Sequence, residues 1–247
     1  MKNFQIIKEG AKRFWKNPIL GLPSLLQIIA NYIPIIIILV IIALIAGVSA
    51  ITFILNPETI SVDALDKVLL LATVLLALLV FVLLAINSFF NGMLLGMIKS
   101  GKRKLDFGSG KKFWPRIFCF DLLLGGYILL AVAIVAVTSL LTEITMWLAV
   151  IPVLFSIAFL LSLPLFLLGA YYIVINDLGI KEALRKSCKT IWKNYLKFLG
   201  LLIILILITI AIVILLGWIP VAGAILMNIL VMTYLKICLY LFASGRA

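Results

Sequence analysis

The chain has 247 residues, of which 66% are hydrophobic and 12% charged, with a formal net charge of +12. That leaves too little polar surface to cover a water-soluble globule of this size, so lipid must be its solvent. The absence of histidine excludes His-based acid–base catalysis, Ser-His triads and His-ligated zinc or haem.

The N-terminal segment 2–17 is basic and amphipathic, with Phe4, Ile7, Ala11 and Phe14 on one side and Lys8, Lys12, Arg13 and Lys16 on the other. It has no compact apolar core ending in a small-residue cleavage site, so no cleavable signal peptide is expected. Its phrase Lys12-Arg-Phe-Trp-Lys-Asn17 recurs as Lys111-Lys-Phe-Trp-Pro-Arg116 and Lys189-Thr-Ile-Trp-Lys-Asn194, each time ahead of two long apolar runs. A run of roughly 20 apolar residues crosses a ~30 Å hydrocarbon layer. Six are present, at about 35–55, 68–90, 117–137, 148–175, 198–216 and 224–242. The expectation is an all-α, six-span membrane protein made of three hairpins in one orientation, each preceded by a basic interfacial segment (2–17, 99–116 and 180–197), forming one transmembrane domain.

Ile19–Ala30, interrupted by Pro23 and followed by Asn31 and Pro34, reads as a partly embedded approach to the first span. Small residues mark packing faces: Ala43 with Gly47 and Ala46 with Ala50 in the first span, and Gly92 with Gly96 at the end of the second. Whether these serve contacts within the chain or between copies stays open. In the second basic segment Gly101, Gly108, Ser109 and Gly110 break helical pattern, which predicts a basic loop ending at Phe113-Trp114-Pro115, with proline in the first turn of the third span. Gly108-Ser-Gly-Lys-Lys112 is not a phosphate loop, because Leu105 and Lys112 stand where that pattern needs glycine and a hydroxyl. No nucleic-acid partner and no cofactor is expected. The fourth run is longer than one span needs and contains Pro152 and Pro164, which predicts a tilt or bend.

In the third basic segment, Ile180, Ala183, Leu184, Cys188, Ile191, Trp192, Tyr195 and Leu196 fall at helical spacing against Lys181, Arg185, Lys186, Lys189, Lys193 and Lys197. Such a helix lies in the plane of the interface, lysines toward anionic headgroups. The residues expected to meet headgroups are Lys12, Arg13, Lys111, Lys112, Arg185, Lys186, Lys189 and Lys193.

Of the 21 Lys and Arg residues only Lys67 falls on the other face, where Glu58, Asp63, Asp66 and Glu143 lie. By the positive-inside rule both termini are expected in the cytoplasm. Trp15, Trp114 and Trp192 then mark the inner interface and Trp147 and Trp218 the outer one. Cys119, Cys188 and Cys238 fall on the reducing side and predict no disulfide. Span-internal Asn87, Asn91 and Asn228, with Asn31, predict hydrogen bonds between helices, and the lack of mid-membrane charge disfavours ion-coupled transport. Asp121 and Lys236 are the deepest charges. Asp121 is expected either to pair with Lys236 or to accept from Arg116 or loop donors.

Tyr171–Leu202 resembles the signature region of a group of prokaryotic multi-pass proteins related to the membrane domain of glycerophosphoryl diester phosphodiesterases, matching at Gly179, Ala183, Leu184, Ser187, Lys193 and Asn194. The resemblance implies fold more than activity, and no soluble phosphodiesterase domain is expected. The leading functional expectation is a non-catalytic protein that organises lipid or supports a membrane complex through a basic cytoplasmic face. The alternatives are a permease-like transporter subunit with a docking helix for a cytoplasmic ATPase, and a lipid-modifying enzyme.

Overall fold

The structure is a computed structural model that describes residues 3–55, 62–142, 150–216, 218–219 and 222–245. Glu58, Glu143, Trp147 and Arg246 lie outside the described residues, as do the side chains of Ala46, Gly47, Ala50, Asp63, Asp66, Lys67, Pro152 and Asn228. The described residues fold into helices without a strand: α1 (Asn3–Lys16), a 3₁₀ turn (Pro18–Gly21), α2 (Leu22–Leu55), α3 (Val62–Ser100), α4 (Phe107–Thr142), α5 (Val150–Leu167), α6 (Gly169–Asn176), α7 (Ile180–Lys193), α8 (Tyr195–Leu216) and α9 (Ala222–Ser244). Six segments are long and apolar enough to cross a membrane, so the chain is a multi-pass all-α membrane protein.

The first span begins earlier than expected. Residues 19–30 belong to the 3₁₀ turn and to the opening turns of α2, which continues through Pro34 to Leu55. Pro23 falls where a helix has no use for its amide, and at Pro34 only the bond to the Ala30 carbonyl is lost.

The expected basic loop before the third span is also a helix. Asp106 caps it: one carboxylate oxygen accepts the Ser109 amide at 3.3 Å and the other accepts the Ser109 hydroxyl at 2.9 Å and Lys102 Nζ at 2.7 Å. The Lys102 and Ser109 bonds hold the Asp106 carboxyl below its usual range. Pro115 therefore lies well inside α4, and the only loop left is a turn at 101–106, entered through Gly101 at φ 65°.

Gly92 and Gly96 of α3 meet this same stretch of α4. A methyl group on Gly92 would stand 3.3 Å from Phe113 Cβ, one on Gly96 would collide with the Ser109 side chain, and Gly110 lies against Phe89 and Met93. The small-residue face is thus used within the chain.

By its contacts the chain divides into a larger unit (Met1–Leu25 and Ser88–Ala247) and a smaller one (Leu26–Asn87). In the smaller unit Gln27 Nε2 (2.7 Å) and Asn31 Nδ2 (2.9 Å) both donate to Asn87 Oδ1, tying α2 to α3 as expected for polar groups in apolar helices. The larger unit has its core where the basic segments gather, around Met93, Met97, Ile117, Leu168, Ile191 and Phe198. Farther along its spans, leucines and isoleucines such as Leu129 and Ile206 are exposed, as lipid-facing positions are.

Candidate functional site

The fourth run is broken at Leu168, which separates α5 from α6. Glycine follows for a steric reason: a Cβ at Gly169 would enter the buried ring of Phe120 on α4. The break interrupts the backbone ladder near Leu165, whose carbonyl accepts the Ser187 hydroxyl of α7 at 2.5 Å. Tyr172 Oη adds a bond to Thr190 Oγ1 at 2.9 Å, and Tyr195 Oη donates to the Leu161 carbonyl at 3.1 Å. The three bonds fasten the basic helix and its exit to a span.

Within α7 the buried line is Ala183, Ser187 and Ile191, one residue per turn. Cys188 and Leu184 flank it, while Trp192 and, just beyond α7, Leu196 are open to the surroundings at 77% and 81% exposure. Gly179 precedes the helix in extended conformation, and Asn194 ends it with its own amide bonded to the Ile191 carbonyl. The residues that carry the resemblance therefore start, seat and end this helix.

The turn before α7 is held by cations. Lys112 Nζ pairs with Asp177 Oδ2 at 2.6 Å and Arg116 Nη2 with Oδ1 at 2.7 Å; Arg116 also donates to the carbonyls of Asp177 and Leu178. Lys99 Nζ donates to the Val174 carbonyl at 2.7 Å, satisfying the C-terminal end of α6. Lys186 bonds Asn176 Oδ1 at 3.0 Å and stands over the Tyr172 ring. Asp177, the one non-glycine with positive φ among the described residues, is well suited to its place because aspartate tolerates the left-handed region.

Of the eight cations expected to face headgroups, Lys112 and Lys186 thus serve the fold, and Arg13 pairs with Glu9 at 3.0 Å. Lys12, Lys111, Arg185, Lys189 and Lys193 are exposed and make no ion pair among the described residues. Trp15, Trp114, Trp192 and Trp218 are exposed to differing degrees. No disulfide joins the three cysteines.

α1 packs by Ile6, Gly10 and Phe14, while Phe4, on the apolar side of the segment, is 74% exposed. Gly10 sets the register, since a Cβ there would stand 2.6 Å from Cys238 Sγ of α9, and Tyr234 Oη donates to the Ile7 carbonyl at 3.0 Å. Asp121 accepts from Ser88 Oγ of α3 at 2.5 Å, a donor not among those expected. Among the described residues Asp121 and Lys236 form no ion pair.

The Lys112 bond, aided by Arg116, holds the Asp177 carboxyl below the usual carboxylate range. A depressed carboxylate stabilises the fold above its unfolded pKa, about 3.9, and that stabilisation is lost as pH falls through the folded value. Asp177→Asn, which keeps the left-handed turn, is expected to melt below the wild type at pH 6 and to converge with it in strong acid. The gap should be about 1 kcal/mol or less and shrink with salt, because the pair is partly exposed. Parallel melting curves from pH 6 down to pH ~3 would refute the clamp.

No family model, curated protein or solved structure matches the chain.

Proposed function

We propose that this chain is a non-catalytic multi-pass protein of the cell membrane, with both termini cytoplasmic, that gathers anionic lipid against its basic face. The observation that carries this reading is the division of labour on α7: Ala183, Ser187 and Ile191 are buried, while Arg185, Lys189 and Lys193 stand exposed without ion partners among the described residues. The exposed Trp192 beside them suits a helix lying at headgroup level. The orientation rests on the concentration of basic residues in three segments at span ends.

Each such cation near an anionic leaflet contributes about 1 kcal/mol. Replacing Arg185, Lys189 and Lys193 together with glutamine is therefore expected to lower retention of anionic lipid about 100-fold at low salt, with less effect at high salt. Unchanged retention would mean that these charges only orient the chain. If α7 instead docks a cytoplasmic ATPase, the same variant would keep its lipid and lose a co-purifying protein.

A further inference from the structure

At the basic end of the larger unit, a cavity of about 290 Å³ is lined by Arg13, Lys16, Asn17 and Arg103 and floored by Leu20, Met97 and Ile237. Its walls come from the last turn of α1, the 3₁₀ turn, the end of α3 with the turn that follows, and α9. Three cations share this lining with no acidic residue. Glu9 engages only Nε of Arg13, and neither Lys16 nor Arg103 has an ion pair among the described residues.

The neighbouring groups are arranged to keep the wall in place. Asn17 Nδ2 donates to the Lys102 carbonyl at 3.2 Å, and Lys102 itself turns to Asp106. Gly101, in the left-handed conformation, lets the chain leave α3 beside the cavity. Lys16 and Arg103 bring two unpaired cations to one hollow, and the guanidinium nitrogens of Arg103, with those of Arg13 that Glu9 leaves free, match phosphate oxygens in shape. The floor is apolar, and two of the apolar segments end here: one starts at Pro18 and another stops at Ser100. A fully solvated anion has no use for such a floor. The volume lies at the small end of ligand cavities, suiting a headgroup rather than a nucleotide.

We infer that this cavity is a discrete site for the phosphate of an anionic phospholipid, held by Arg13, Lys16 and Arg103 with the apolar part of the lipid beside Leu20 and Ile237. The inference deepens the lipid-gathering reading but involves residues other than those of α7.

The test uses the full chain reconstituted with phosphatidylglycerol and phosphatidylcholine, then extracted and weighed by native mass spectrometry. One phosphatidylglycerol is expected to survive a high-salt wash. Lys16→Gln with Arg103→Gln should cut its occupancy at least tenfold, and Arg103→Lys should cut it less. Both side chains are exposed, and equal melting temperatures of lipid-stripped wild type and variant check that the fold is intact; should the double variant melt lower, Arg103→Lys decides alone.

The α7 triple variant should keep this one lipid while losing the salt-sensitive remainder. Undiminished occupancy in the cavity variants overturns the site and leaves the α7 reading standing, whereas an unaffected remainder in the α7 variant overturns that reading and leaves the site. Glycerol 1-phosphate added to lipid-stripped protein separates the sources. If it raises the melting temperature of the wild type alone and no lipid is retained, the phosphate chemistry stands and the lipid assignment falls.

Discussion

Gly169→Leu is expected to cost about 3 kcal/mol of stability, at the upper end of the usual penalty for overpacking a core. The reason is positional: the first added carbon already enters the ring of Phe120, which is itself buried. The backbone has little freedom to give way either, because the break beside Gly169 is held by the Ser187 bond to Leu165 and by Tyr172 to Thr190. Thermal unfolding in mild detergent measures the effect. Adding Phe120→Ala should return part of the loss, since it removes the obstacle, although alone it would cost about 3–5 kcal/mol through the cavity it leaves. A Gly169→Leu protein that melts with the wild type would show that α4 and the α5–α6 break are not packed as described.

Gly96→Val is expected to be comparably damaging, by about 2–3 kcal/mol, because it drives α3 off the first turn of α4. Here the collision is with Ser109, whose Cα would lie 3.7 Å from the new Cβ, so the obstruction is close to backbone. Ser109→Gly should relieve most of it in the double variant, despite the loss of a bond to the Asp106 cap. The mass of the particle in detergent should not change in either variant, since the contact lies within one chain. A change in oligomeric mass with unaltered melting would place Gly96 between copies instead.

The spans were legible in the sequence because apolar length alone reports them, and so were the helical spacing of α7 and the polar ties of Asn31 and Asn87. What misled was glycine. Gly108 and Gly110 lower helix propensity, and local reading makes a loop of them. Their absent side chains are what allow α4 to lie against Gly92 and Gly96, so two features that seem separate along the chain are the halves of one contact. Asp106, three residues ahead of Ser109, was the available local signal for a helix start.

The same limit explains the basic residues. Charge counts assign Lys99, Lys112, Arg116 and Lys186 to a solvated face, yet these side chains close the turn around Asp177 and Val174. Nothing in composition distinguishes a lysine that meets a carbonyl from one that meets a headgroup. Asp121 shows a related limit, since hydroxyls such as Ser88 are plentiful in these spans and sequence does not say which one turns inward.

The Ser187 bond makes the basic helix a lever on the membrane-crossing part of the chain. Moving α7 away from that part of the chain would break the bond and take the Ser187 donor from the oxygen of Leu165. Any partner or lipid that pulls on α7 therefore strains the joint between α5 and α6, and any change of bend at that joint shifts the cations of α7.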